Sequence, residues 1–113
     1  MTLTEADEAE LVRRLRHDVE VTLGPGYEAD IQYHAATKRE RGVDPRVYWE
    51  MVVEQVQEIF HDGFVHTTWP PCPRHPRHPL WLHGEYWMCE QDNVAIAPLG
   101  ELPSPGQAGC RRG

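Results

Sequence analysis

Residues 69–102 read WPPCPRHPRHPLWLHGEYWMCEQDNVAIAPLGEL, and this stretch decides how the second half of the chain is built. Five prolines lie between Pro70 and Pro79. Because proline lacks an amide hydrogen and has a restricted φ angle, such a run forms neither a regular helix nor a paired central strand. We therefore expect a loop whose conformation depends on something other than backbone hydrogen bonds.

The same loop carries a pattern typical of a metal site. Cys72 and His75 are separated by two residues, a spacing that lets both side chains reach one ion from a single tight turn. Cys89 follows a predicted β-hairpin, which would return it to the same ion. With His78 added, the donors form a Cys2His2 set, which suits a structural Zn2+ ion. The predicted ligands are therefore Cys72, His75, His78 and Cys89.

Two other residues compete with His78 for the fourth position. Asp92 repeats the two-residue spacing in Cys89-Glu90-Gln91-Asp92, and His83 is a third choice. His78 ranks first because structural zinc is held mostly by cysteine and histidine. A Cys72–Cys89 disulfide and a metal-free fold are the alternatives to a metal site.

These elements resemble the zinc-ribbon family, in which a Cys-Pro-x-Cys turn and a second Cys-x-x-Cys turn hold zinc between short β-hairpins. The resemblance covers about residues 71–97, where His75 replaces the second cysteine and either Asp92 or His78 replaces the fourth. More loosely, residues 69–102 resemble the C-terminal segment of small uncharacterised bacterial proteins with a Cys-Pro-x-His element, then His-Pro-Leu and a later Trp-x-Cys. The zinc-ribbon resemblance implies a rigid hairpin held by zinc, and neither resemblance implies an enzymatic activity.

The N-terminal half predicts two amphipathic helices. The first begins at Thr2 or Thr4, each of which has a capping-box partner three residues later, and it ends before Gly24. The second begins at Asp44-Pro45, a typical helix start. Apolar residues recur at helical spacing in both segments, at Leu11, Leu15, Val19 and Leu23 in the first and at Tyr48, Val52, Val56 and Ile59 in the second.

Strands are expected in four places. Residues 27–33 alternate between apolar and polar side chains, which predicts a half-buried strand. Residues 35–42 are then expected to be a charged connector, either a mobile loop or a helix extension. Residues 64–69 predict another strand, residues 81–83 and 86–88 a hairpin, and residues 94–97 a last strand. The predicted fold class is α+β, with two amphipathic helices, a small antiparallel sheet and a C-terminal zinc-ribbon-like hairpin. Residues 1–68 form the helical portion, residues 69–102 pack on it within one domain, and residues 103–113 are expected to be a disordered tail.

Charge and cysteine content limit the possible partners and compartment. The formal net charge is −7, so nucleic-acid binding would need a local basic patch, for example around Arg74 and Arg77. We expect the arginines instead to be solvated surface charges among acidic residues such as Asp18. No segment has the roughly 20 apolar residues of a membrane helix, and three cysteines, with Cys110 in the tail, do not suit a secreted disulfide framework. We therefore expect a cytoplasmic protein without membrane contact.

No catalytic motif stands out. The sequence has no His-Glu-x-x-His motif, no glycine-rich phosphate loop and no serine nucleophile elbow, so we expect a protein that is not an enzyme. Trp69, Trp81, Trp87 and Tyr86 surround the predicted site, and we expect them mainly to pack in the core, with Tyr86 facing away from Trp87. The predicted function is a zinc-binding protein-interaction or adaptor module whose partner is another protein. The alternative is nucleic-acid binding by a zinc ribbon.

Overall fold

In a computed structural model that describes residues 3–62, 68–75 and 77–103, three helices precede a three-stranded sheet. The elements are α1 (Glu5–Leu23), α2 (Glu28–Glu40), α3 (Tyr48–Asp62), β1 (Trp81–His83), β2 (Tyr86–Cys89) and β3 (Val94–Pro98). The α+β class is confirmed. The predicted 64–69 strand lies mostly outside the described residues, and Thr68 and Trp69 at its end are not in a strand. Nearly all of the predicted disordered tail, residues 104–113, is also outside them.

Helix α1 begins where its capping box predicts. The Thr4 hydroxyl accepts a hydrogen bond from the Asp7 amide at 3.2 Å, and Asp7 Oδ2 accepts one from the Thr4 amide at 2.8 Å. The helix ends at Leu23, and Gly24 follows with φ of 97° and donates its amide to Glu20 O. The first turn of a helix leaves four backbone amides without partners in the helix, and the side chains of this capping box accept hydrogen bonds from two of them.

The predicted strand over residues 27–33 is wrong, because this segment lies almost entirely in helix α2. The buried residues are Ile31 and Ala35, four positions apart, whereas Tyr33 is 66% exposed. Alternation over seven residues was the weaker signal. Most residues of α2 are good helix formers, and acidic residues in its first turn and basic residues in its last turn complement the helix dipole. The charged connector is correspondingly the second half of this helix.

Helix α3 begins four residues after the predicted Asp44. The Asp44 carboxylate accepts the Arg46 amide at 2.9 Å, residues 45–47 form a turn, and the regular helix starts at Tyr48. The predicted apolar stripe is confirmed at Tyr48, Val52 and Val56, which are all buried. The Tyr48 hydroxyl donates to Ala35 O at 2.7 Å, which ties α3 to α2 inside the core.

The sheet is an antiparallel meander in the order β1-β2-β3. The predicted hairpin is confirmed, with Leu82 opposite Trp87 and His83 opposite Tyr86, and the predicted last strand is confirmed as β3. Leu82, Trp87 and Cys89 are buried and thus define the inner face of the hairpin. That face shares one hydrophobic core with the three helices. The metal-site candidates are therefore attached directly to the core.

Two buried polar side chains join the helices to the second half of the chain. Asp18 in α1 is fully buried, not a surface charge, and accepts hydrogen bonds from Trp87 Nε1, Gly100 N and Leu102 N at 2.7 to 3.1 Å. Gln57 in α3 donates through Nε2 to Trp69 O and Leu80 O. These bonds hold both ends of the proline-rich loop and the segment after β3 against the helices.

Candidate metal centre

The proline-rich loop is closed on itself by backbone hydrogen bonds at its base. Leu80 N donates to Pro70 O at 2.8 Å, and Cys72 N donates to His78 O at 3.0 Å. Inside this closure, the His75 amide donates to Cys72 O at 3.2 Å, which forms the tight turn expected from the Cys72-x-x-His75 spacing. This turn holds Cys72 and His75 within one short segment, in keeping with the two-residue spacing of zinc ligands.

The second turn lies between β2 and β3 and carries Cys89 and Asp92. Cys89 is the last residue of β2 and is 1% exposed, while Asp92 follows in the turn with its side chain 32% exposed. The hairpin strands hold this turn beside the proline-rich loop. Two turns, each with two candidate donors separated by two residues, thus face each other.

Backbone amides point at both sulfur atoms. Arg74 N lies 3.4 Å from Cys72 Sγ and Asp92 N lies 3.4 Å from Cys89 Sγ, and each amide donates to the sulfur. Both amides are thus placed to donate to a metal-bound thiolate, the form of cysteine that binds metal. Both cysteines are free, so the disulfide alternative does not occur in the structure.

Three candidate donors meet closely enough to share an ion. One donor atom from each of His75, Cys89 and Asp92 lies within 4.8 Å of the other two. His75 Nε2 and Asp92 Oδ2 are 3.1 Å apart. This His, Cys and Asp group can hold a metal ion, and it contains the competing fourth ligand Asp92 rather than the first-ranked His78.

Cys72 and His78 lie beside this group but are not part of it. They line, together with Cys89 and Trp81, a cavity of about 160 Å3 between the two turns. The rings of His75 and His78 are 6.4 Å apart between centroids. Cys72 is 1% exposed, whereas His78 is exposed to solvent.

The third choice for the fourth ligand, His83, points elsewhere. It lies on the outer face of β1, and its Nε2 is 2.9 Å from Glu90 Oε2. His83-Gly84-Glu85 has the His-x-Glu spacing found in some catalytic zinc sites. Neither of these two residues is in the His75, Cys89 and Asp92 group, so the string is not part of this centre.

The charges around Asp92 keep it ionised. Arg74 Nε donates to Asp92 Oδ2 at 2.5 Å, and this hydrogen bond, followed by that with His75, lowers the pKa of Asp92. The same carboxylate raises the pKa of Arg74. The ionised carboxylate is the metal-binding form of Asp, and a metal ion at Asp92 Oδ2 would take the place of the Arg74 hydrogen bond.

The tryptophans divide into packing residues and one surface residue. Trp69 and Trp87 are buried and their rings meet edge to face at 5.5 Å between centroids, so the expected packing role is confirmed for both. Trp81 is 37% exposed. Tyr86 is 48% exposed and lies on the face opposite Trp87, as strand alternation predicts.

Most arginines are engaged by carboxylates. Six arginines of the described residues lie within 4.0 Å of an acidic side chain, namely Arg13, Arg14, Arg16, Arg39, Arg46 and Arg74. The positive charge of each of these six arginines is therefore accompanied by a negative charge nearby.

Sequence reasoning missed the two polar residues that position this centre. Asp18 and Gln57 each lie within an apolar helical stripe, Asp18 next to Val19 and Gln57 four residues after Val53. A polar residue at a core position is the signal that could have identified them, because buried polar groups are retained where they have hydrogen-bond partners. Their partners are backbone groups far along the chain, which no local pattern specifies.

No helix in the described part of the chain has both the length and the apolar character needed to cross a membrane. Comparisons with family models, curated proteins and solved structures found no match for this chain.

Proposed function

We propose that residues 69–102 bind one structural zinc ion and that the protein is a non-enzymatic, cytoplasmic protein-interaction module made rigid by this ion. The observation that carries the proposal is the meeting of His75, Cys89 and Asp92 donor atoms within 4.8 Å. The proline-rich loop and the β2–β3 turn are each closed by their own backbone hydrogen bonds, and an ion that joins them would add a link between the two segments.

We assign the ligands as Cys72, His75, Cys89 and Asp92, with Asp92 in place of His78. This assignment is supported by the matching two-residue spacing of the two turns and by the backbone amides that donate to both sulfur atoms. Two sulfur donors, one imidazole and one carboxylate favour Zn2+ over Mg2+ or Ca2+, which prefer oxygen donors alone. Four protein ligands leave no open position for a catalytic water, which supports a structural ion.

Metal analysis tests the ion. Protein purified without an affinity metal should contain close to one zinc ion per chain, the stoichiometry of a single four-ligand site. Cys72→Ser and Cys89→Ser should each lose it, while Cys110→Ser, which removes a cysteine outside the site, should keep it. After exchange with Co2+, a thiolate charge-transfer band and intense d–d bands should report tetrahedral sulfur coordination. Protein free of zinc, with Cys72→Ser as stable as the wild type, would refute the site.

A pair of single variants decides the fourth ligand. Asp92→Ala should weaken zinc binding by at least about a hundredfold, since even loss of a residue that only orients a ligand costs about ten- to a hundredfold. His78→Ala should leave zinc affinity nearly unchanged. Competition with a chromogenic chelator measures both affinities. The opposite ranking would restore the Cys72, His75, His78 and Cys89 set.

The interaction role is preferred over nucleic-acid binding because of charge. The chain has a net charge of −7, and six arginines of the described residues are already beside carboxylates. A nucleic-acid complex would weaken steeply with rising salt because counterions are released. We expect no binding of a mixed oligonucleotide at low salt, measured by fluorescence anisotropy. Salt-dependent binding there would favour the nucleic-acid alternative.

A further inference from the structure

A second cleft lies next to the proposed metal centre, between helix α3 and the start of β1. Its volume is about 310 Å3, at the lower end of the range in which protein clefts hold a ligand group. Trp81 lines both this cleft and the small cavity between the metal turns. We call it the Trp81 cleft, lined by Glu54, Gln57, Glu58, Arg77 and Trp81 among others.

One face of the cleft is a polar stripe of helix α3. Glu54, Gln57 and Glu58 are three and four residues apart, so their side chains lie on the same side of the helix. Both glutamates are exposed, and neither forms an ion pair with any residue in ranges 3–62, 68–75 and 77–103. Glu58 Oε1 accepts a hydrogen bond from Gln55 Nε2 at 3.3 Å. Among the residues that the structure describes, the Glu54 carboxylate and the second oxygen of Glu58 accept no side-chain hydrogen bond, so both can accept one from a ligand in this cleft.

The floor carries a buried acceptor. Gln57 is 6% exposed, and its Nε2 donates to Trp69 O at 3.1 Å and Leu80 O at 2.8 Å. These bonds fix the orientation of the side-chain amide. Its Oε1 accepts no hydrogen bond from a residue that the structure describes. A buried amide oxygen without a donor costs stability, so a ligand that supplies an N–H group at this point would be stabilised there.

The opposite wall is aromatic. Trp81 is 37% exposed, a large exposed fraction compared with the buried Trp69 and Trp87. The face of an indole ring attracts cations, most often a guanidinium group. One positive side chain, Arg77, also lines the cleft, which leaves the two carboxylates in excess by one charge. The cleft thus offers acceptors, negative charge and an aromatic face.

We propose that the Trp81 cleft binds an arginine side chain of a protein partner. A guanidinium is planar and has five N–H donors, so it can stack on Trp81 while donating to Glu54, Glu58 and Gln57 Oε1. The net charge of −7 favours approach of a basic segment over an acidic one. This inference rests on the proposed protein-interaction role and names the chemistry of the partner.

The test titrates 15N-labelled, zinc-loaded protein with the peptide acetyl-Ala-Arg-Leu-Ala-amide at about 150 mM salt, which screens weak surface attraction. The Trp81 indole N–H resonance and the Gln57 side-chain amide resonances should shift and saturate. The same peptide with citrulline, the uncharged isostere of arginine, should shift them at least about tenfold less. Equal shifts with citrulline, or equally tight binding of free arginine, would refute a peptide arginine as the occupant.

Charge variants distinguish an effect of the carboxylates in the cleft from an effect of the protein's net charge. Glu54→Gln with Glu58→Gln should weaken peptide binding on the order of tenfold, an effect expected for charge pairs that close a binding site. Glu40→Gln with Glu101→Gln removes the same charge from exposed positions elsewhere and should leave binding unchanged. Arg77→Gln should tighten binding, since it removes a like charge. Unchanged binding in the Glu54 and Glu58 variant would overturn the proposal.

The zinc content of every sample keeps the two proposals distinguishable. Loss of peptide binding in a protein that retains its zinc would refute the Trp81 cleft and leave the metal centre intact. A metal-free protein that still binds the arginine peptide, and not its citrulline form, would support the cleft and refute the metal centre.

Discussion

At the scale of single residues, Asp18 joins helix α1 to strand β2 and to the segment after β3. Its carboxylate is fully buried in α1 and accepts hydrogen bonds from the indole of Trp87 and the amides of Gly100 and Leu102. His17 Nδ1 lies 2.8 Å from the same group. Each of these donors would lose a partner if the acceptor were removed, and buried donors without partners are costly.

We expect Asp18→Asn to lower the free energy of unfolding by about 3 kcal/mol. The substitution replaces one acceptor oxygen with an NH2 group, which cannot accept the hydrogen bonds that the carboxylate oxygen accepts. Urea denaturation followed by tryptophan fluorescence measures this change. Glu20→Gln, an exposed change two residues later in the same helix, should stay within about 0.5 kcal/mol of the wild type. If both variants unfold at the same urea concentration, the Asp18 bonds contribute nothing net to stability.

Ionisation of Tyr48 lowers the stability of the folded protein at alkaline pH. Burial raises the pKa of its hydroxyl from 10.0 to about 12, since the charged phenolate is disfavoured inside the core. The folded state therefore prefers the neutral form. Its contribution is complete below pH 10, the unfolded pKa, and is lost as pH rises through about 12.

We expect Tyr48→Phe to cost about 1 kcal/mol at neutral pH, through loss of the bond to Ala35 O. Between pH 10 and 12 the wild type should lose roughly 2 to 3 kcal/mol more than the variant does, following from the size of the pKa shift. Urea midpoints of both proteins across this pH range give the difference. Parallel pH profiles would show that Tyr48 ionises equally easily in the folded protein.

At the scale of elements, the segment after β3 packs tightly on helix α1 at Gly100. This glycine has a φ of 96°, and a Cβ atom there would lie 2.9 Å from Arg14 Cβ and Cγ. Arg14 in turn lies over the ring of Trp49 at 5.0 Å, so the helix side chain is held in place. The contact leaves no room for any side chain at residue 100.

We expect Gly100→Ala to lower the free energy of unfolding by about 2 to 3 kcal/mol, the sum of backbone strain and steric overlap. Gly26→Ala is the matched control, because Gly26 has a φ of 112° but nothing within 4 Å of its would-be Cβ. The control should cost only about 1 kcal/mol, from strain alone. Thermal unfolding of both variants measures the difference, and equal losses would show that the Arg14 contact adjusts freely.

At the scale of the whole molecule, the helices and the sheet share one core. Phe60 of α3 meets Trp69 edge to face at 5.2 Å, and Trp69 meets Trp87 of β2 at 5.5 Å. The indole of Trp69 also donates to the Thr22 hydroxyl of α1 at 2.8 Å. An aromatic series thus runs from the helices to the strand that ends at Cys89, and disorder at the metal turns would expose part of the helical core.

We expect chelation of zinc to destabilise the whole chain in one transition. Helix content followed by circular dichroism and core packing followed by tryptophan fluorescence should give the same midpoint, which should fall on chelation, because the ion stabilises only the folded state. Cys72→Ser should reproduce the effect without a chelator. Helices that melt at an unchanged temperature after zinc removal would show that residues 5–62 fold independently of the sheet.

Features that depend on local chemistry could be predicted from the amino-acid sequence. The Thr4 cap, the α1 and α3 stripes, the β1–β2 hairpin and the two turns that carry Cys72 and Cys89 follow from short-range patterns. Local rules failed for residues 27–33, where alternation of apolar side chains competed with helix-forming composition. A seven-residue window cannot decide between these signals, because burial of Ile31 and Ala35 depends on the helices packed against them.

Contacts between side chains that are far apart in the sequence could not be predicted, because they depend on how the elements pack. Donor atoms of His75, Cys89 and Asp92 lie close together because the β1–β2 pairing sets the end of β2 beside the proline-rich loop that leads into β1. Asp18 is a buried acceptor and Gln57 a buried donor, and their hydrogen-bond partners lie 12 to 84 residues away along the chain. A local sequence pattern therefore does not reveal these partners. The two-residue spacing places two candidate metal ligands in each turn. Which turns come together depends on how the whole core packs, and no single segment of the sequence specifies that packing.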